Sequence, residues 1–139
     1  MSFTKEELRR IYDRTSGYCH ICHKKLAWSN YGRIDARAPW QVEHSVPKAK
    51  GGTGGMKNLY PACIDCNCLK GVKSTRSARA RNEKRCAPLS REKRARAKTR
   101  NAIAYGAVGT AVGYILCPPV ALLTGLVGAH VGHRKNPDR

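Results

Sequence analysis

Acidic residues are scarce in this chain: nine Asp and Glu stand against 27 Lys and Arg among 139 residues, a formal net charge of +18. So small and basic a protein calls for a polyanionic partner, either nucleic acid or an anionic membrane face, and charge sign alone does not choose between them. Aromatic residues are scarce too, with one Phe and 6% Phe, Trp and Tyr together. That excludes a large aromatic-rich core, so something besides hydrophobic burial must help hold the folded part together. The N-terminus, MSFTKEELRR, has no apolar run after its basic residues; no secretory signal is expected, and a cytoplasmic location follows, with attachment to the inner face of a membrane as an option. Cysteine is not scarce. Seven are present, and an odd number at these spacings argues for metal binding in a reducing compartment over a secreted disulfide framework.

Charge divides the chain into zones, as a small domain with an appended segment would. Residues 1–73 mix both signs and hold two cysteine pairs. Residues 74–100 carry eleven Lys or Arg against Glu83 and Glu92, residues 101–133 contain no Asp, Glu, Lys or Arg, and residues 134–139 form a short tail. The pattern predicts a folded module, a basic helical connector and an apolar segment.

In the first zone Thr4 caps a helix with Glu7 as its capping-box partner, Leu8, Ile11 and Tyr12 share one face, and Gly17 ends the turn before Cys19. Short apolar pieces at Val42, Val46, Leu59 and Tyr60, separated by a Gly-rich loop, predict a small irregular hairpin. A helix is expected from Cys66 onward through Leu69 and Val72. Pro88 should break any helix running through the basic zone, with Ser90 capping the next one.

Cys19-x-x-Cys22 and Cys63-x-x-Cys66 each bring two thiolates within reach of one ion, and together they complete a tetrahedral four-cysteine site for structural zinc. Zinc would supply folding energy that the thin core lacks, on the order of 10 kcal/mol or more. A disulfide or redox role is the competing reading. His20 and His23 read as exposed loop residues, because four thiolates fill the sphere. Cys68, Cys86 and Cys117 have no partner at ligand spacing and read as small buried or idle thiols.

Between and just beyond the cysteine pairs runs WQVEHSVPKAKGGTGGMKNLYPACIDCNCLKG. Glu43-His44, Asn58 fourteen residues on and Asn67 nine residues later, with Pro47, Gly51-Gly52, Asn58-Leu59 and Lys70-Gly71, resemble the HNH endonuclease family over about residues 4–73. The resemblance implies an α+β, treble-clef-like ββα-metal fold and a phosphodiester hydrolase acting on DNA, expected to be double-stranded. It implies His44 as general base, Asn58 fixing the loop and the imidazole, and Glu43 and Asn67 holding one catalytic divalent ion, Mg²⁺ or similar, apart from the structural zinc. The chemistry of the residues agrees. Neutral imidazole accepts a proton from water, and carboxylate and carboxamide oxygens are hard ligands. Two departures from the family pattern, Glu43 for the usual Asp and the uncharged Asn67, imply modest metal affinity.

Lys48, Lys50, Lys57, Lys70, Arg76 and Arg79 are candidates for nucleic-acid contact without base specificity; a solvated basic face is the plainer reading. The Gly51–Gly55 run lacks the strand-to-helix setting of a phosphate loop and reads as a hairpin loop.

The apolar zone holds a repeat. Ala102, Gly106, Gly109 and Gly113 recur nineteen residues later as Ala121, Gly125, Gly128 and Gly132, around Cys117, Pro118 and Pro119. This predicts two helices joined by a proline-marked turn and packed through glycine faces. Such a hairpin could enter a membrane with the basic residues at anionic headgroups, or self-associate in water. Three functions therefore compete: a metal-dependent endonuclease, a non-catalytic zinc module that binds nucleic acid, and a membrane-active, toxin-like protein carrying a nuclease.

Overall fold

A computed structural model describes residues 2–116 and 121–138. These residues divide into two compact units, 1–91 and 92–139.

The first unit opens with α1 (Lys5–Asp13). Thr4 caps it, its hydroxyl accepting from the Glu7 amide while the Glu7 carboxylate accepts from the Thr4 amide, so the expected capping box is present. Leu8, Ile11 and Tyr12 supply the apolar face, and Ile11 is fully buried. After the helix, Gly17 takes a left-handed φ of +73°. A Cβ there would lie 2.3 Å from the Tyr12 ring, so only glycine lets the chain fold back over that tyrosine. The Tyr12 hydroxyl donates to the Leu26 carbonyl at 2.6 Å, and Tyr12 meets Trp28 and Trp40 with ring centroids 5.3 and 5.2 Å apart. Tyr12, Trp28 and Trp40 thus form one small aromatic cluster in the core of this unit.

Strands β1 (Trp40–His44) and β2 (Leu59–Cys63) pair antiparallel, with Trp40 opposite Cys63, Glu43 opposite Tyr60 and His44 opposite Leu59. This is the anticipated hairpin, with residues 45–58 as its loop. The chain turns at Cys63 directly into α2 (Ile64–Lys70), breaks at Gly71, and resumes as α3 (Thr75–Ala80), capped by Ser74. The helix expected from Cys66 onward is therefore two short helices, because Gly71 adopts a φ of +49°. The hairpin and α2 make the ββα unit, an α+β arrangement compatible with the HNH fold.

The second unit is built on α4 (Arg91–Leu116) and α5 (Ala121–Arg134). Helix α4 starts after Pro88, as expected, and then runs unbroken from the basic residues into the charge-free zone. Residues 91–100 are thus the opening turns of the hairpin's own helix, with the boundary between units at 91/92. The two helices are antiparallel and meet through their small residues. A Cβ at Gly109 would lie 2.4 Å from the Thr124 carbonyl oxygen, one at Gly128 2.3 Å from that of Tyr105, and one at Gly132 2.5 Å from that of Asn101. The predicted glycine faces are in contact at these positions. The proline-marked turn and Cys117 lie outside the described residues. Among those described, no helix is long and apolar enough to cross a membrane.

Candidate active site and metal site

The four cysteines converge. Cys19, Cys22, Cys63 and Cys66 place their sulfurs within 4.8 Å of one another, and Cys22 Sγ lies 3.8 Å from Cys63 Sγ. Zinc with four thiolates at about 2.3 Å needs sulfur-to-sulfur edges of roughly 3.8 Å, so this cluster could hold zinc. The local fold explains the convergence. The first pair sits on a tight knuckle, where the Cys19 amide donates to the Lys24 carbonyl at 2.8 Å and the His23 amide to the Cys19 carbonyl at 3.0 Å. The second pair lies at the turn from β2 into α2. Four thiols this close cannot all ionise without a cation. Hydrogen bonding with its neighbours holds Cys22 low, whereas Cys19 and Cys22 push the Cys63 and Cys66 thiols up.

Beside this cluster lies a buried charge network that the sequence did not announce. Glu43 is only 3% exposed. One carboxylate oxygen is 2.7 Å from His20 Nε2 and the other 2.5 Å from Lys70 Nζ. Lys70 also donates to the His44 carbonyl at 3.0 Å, tying α2 to the end of β1. His20 is completely buried, which corrects its reading as an exposed loop residue: its backbone amide is bound to the Pro61 carbonyl, and its ring stacks on Tyr60 with centroids 4.9 Å apart. Arg79 closes the network from α3. Its Nε donates to the His20 carbonyl at 2.8 Å, and its Nη2 lies 3.2 Å from His20 Nδ1. With Nδ1 accepting from arginine, Nε2 carries the proton toward Glu43, and the partners fix a neutral tautomer. Burial holds the His20 pKa below the ordinary histidine value despite Glu43. Burial also pushes the Glu43 carboxyl up, but the His20 and Lys70 bonds outweigh it and keep the group below the usual carboxylate range.

Strand alternation turns Gln41 and Glu43 toward α2 and His44 to the opposite face. On the α2 side Asn67 Nδ2 donates to Gln41 Oε1 at 3.0 Å, so Glu43 and Asn67 both lie at the β1–α2 junction. Carboxylate and carboxamide oxygens suit a hard cation. Both Glu43 oxygens, however, already face donors, and an ion there competes with the Lys70 ammonium for the carboxylate.

His44 has a different setting. Its Nε2 is shielded from solvent and has no hydrogen-bond partner among the described residues. Buried polar atoms are nearly always bonded, so a free imidazole nitrogen marks a place where a ligand or water belongs. Burial and Lys48 lower its pKa against the pull of Glu43, which keeps the ring neutral and able to take a proton.

Asn58 secures the loop that follows. Its Oδ1 accepts from the Val46 amide at 2.7 Å, and its Nδ2 donates to the carbonyls of Val46 and Thr53 at 3.0 and 2.8 Å. Gly52 packs beneath; a Cβ there would lie 1.8 Å from the Val46 carbonyl oxygen. The loop frames an open pocket of about 420 Å³ lined by Ser45, Val46, Thr53, Lys57, Asn58 and Tyr60.

Of the basic candidates, Lys48, Lys50, Lys57 and Arg76 are exposed. Lys70 is 2% exposed and ion-paired, and Arg79 is bonded to His20. These two differ from the expectation of phosphate contact because their charges are used inside the protein. Cys68 and Cys86 are exposed free thiols.

Residues 19–73 match the family model described as HNH endonuclease. No curated protein and no solved structure matches the chain.

Proposed function

We propose, from the match of residues 19–73 to the HNH endonuclease model and the nucleic-acid substrate that family implies, that this protein is a divalent-ion-dependent endonuclease that hydrolyses phosphodiester bonds of double-stranded DNA. The observation that carries the reading is His44: a neutral imidazole with an unbonded nitrogen and Lys48 near enough to lower its pKa, directly before Ser45, which lines the loop pocket together with Lys57. His44 accepts the proton of the attacking water. Asn58 holds the loop that bounds the pocket, and the exposed lysines and Arg76 hold the phosphate backbone without reading bases. The four cysteines would hold structural zinc, which would fix β2 and α2 against the knuckle. Glu43 and Asn67 would supply oxygens to the catalytic ion only in exchange for the Lys70 contact and with a rearrangement that brings them round from the face of β1 opposite His44. When bound, such an ion would supply Lewis-acid stabilisation of charge on the phosphoryl and leaving oxygens.

The test is plasmid cleavage by the full chain across a panel of divalent ions, beside His44→Ala. A general base contributes roughly 10²- to 10⁴-fold, so the variant should lose cleavage by that factor while retaining DNA binding.

A second reading has one observation in its favour. Glu43 is already neutralised by Lys70 and faces neutral His20, as suits a zinc module that binds nucleic acid without cutting it. Tight, salt-sensitive binding with no cleavage under any divalent ion would select that reading.

A further inference from the structure

The second unit is packed inside out. Its helices touch through glycine, alanine and threonine, with Thr124 Oγ1 donating to the Gly109 carbonyl at 2.8 Å across the contact. The large apolar side chains point outward: Ile103, Val108, Ile115, Leu122, Leu126 and Val131 are between 51% and 80% exposed. A hairpin that sought its own hydrophobic core in water would reverse this pattern, and soluble monomers rarely expose apolar patches beyond a few hundred Å².

Charge is segregated along the hairpin as well. Asn101 lies against Gly132 and Tyr105 against Gly128, so the start of α4 and the end of α5 share one end. Lys93, Arg94, Arg96, Lys98 and Arg100 lie there with Arg134 and Lys135, against only Glu92 and Asp138. From 101 to 133 the sequence has no Asp, Glu, Lys or Arg. At 1.5 Å per residue, the charge-free stretch of α4 rises about 24 Å and that of α5 about 20 Å. Both fall short of a hydrocarbon layer of about 30 Å, in keeping with the absence of a crossing helix among the described residues.

We propose that residues 92–138 form a re-entrant anchor whose outward apolar face enters one side of an anionic lipid bilayer, with its basic end at the headgroups. Charge complementarity selects this occupant. Each basic residue near an anionic surface gains attraction. A second copy packed side by side in parallel would bring two strongly basic ends together, and an antiparallel copy would set them against apolar tips. Nucleic acid offers nothing to Leu122, Leu126 or Val131. The small residues allow two backbones to meet closely, so that nearly all apolar bulk is left for lipid. The proposal is independent of the nuclease reading, since it draws on no residue of the first unit.

The test is flotation of the full chain, freed of nucleic acid, with vesicles of phosphatidylcholine alone or mixed with phosphatidylglycerol. The chain should float with the anionic vesicles and much less with the neutral ones. Leu126→Asp places a carboxylate in hydrocarbon and should weaken binding roughly a hundredfold, whereas Leu126→Met should bind like the parent. Because Leu126 faces outward, circular dichroism of both variants without lipid should match the parent, separating lost insertion from lost folding. A chain that stays unfloated with anionic vesicles would overturn the proposal. So would a vesicle-free multimer that Leu126→Asp dissolves without any vesicle binding, since the face would then belong to a second copy.

Discussion

The two units solve the same shortage of core-forming residues in opposite ways. The first unit buries its largest core side chains, with Trp40 and Ile11 fully buried while Ile34, Leu69 and Val72 stay exposed, and adds a four-cysteine cluster that could hold a metal. The hairpin keeps small residues inside and leaves Leu122 and Leu126 in the open. The difference teaches that composition alone does not say what holds a fold together. In the first unit it is the contents of the interior; in the second it is backbone proximity, with the apolar bulk left for something outside.

That contrast can be broken at several points. The largest effect is expected from the metal site: Cys63→Ser, or chelation of zinc, should unfold the first unit, because structural zinc contributes on the order of 10 kcal/mol. The helical signal of α4 and α5 should survive, and circular dichroism read beside bound zinc would separate the units. Next is Lys70→Met, which leaves the Glu43 carboxylate buried with one partner fewer; breaking a buried pair costs about 3–5 kcal/mol. Thermal denaturation should show the loss, and adding Glu43→Gln should recover part of it. Smaller again is Gly128→Val, which drives a Cβ against the Tyr105 carbonyl and should cost about 1–3 kcal/mol of hairpin stability, seen as faster proteolysis of residues 92–138. The smallest is Leu126→Ala. Away from lipid it should change stability by less than about 0.5 kcal/mol, and a larger loss would mean that the outward face is packed in solution.

Much of the fold was legible in the sequence because its signals are local. The Thr4–Glu7 box, the paired cysteines, Pro88 and the period of the glycines each act within a turn or two. The charge boundary at residue 100 was less informative, since a helix continues wherever its backbone allows and α4 passes through it. The network of His20, Glu43, Lys70 and Arg79 was not legible. Its members lie far apart in sequence, and His20 was set aside on the count of zinc ligands. One signal was available: an acid on a strand between Trp40 and the hairpin loop, once buried, needs a cation beside it, and Lys70 stands on the helix that follows the hairpin. The roles expected for His44, Asn58, Glu43 and Asn67 are what the resemblance to the HNH endonuclease family implies; the unbonded nitrogen of His44 and the occupied carboxylate of Glu43 are properties of the assembled structure.

The most direct measurement of the central claim is plasmid cleavage by the zinc-loaded chain, with and without added divalent ion, for the parent and for His44→Ala. The nuclease reading predicts ion-dependent nicking or cutting by the parent and at least a hundredfold loss in the variant, with zinc content and DNA binding unchanged. Cleavage of equal rate in both proteins, or none in the parent under any ion, would contradict it.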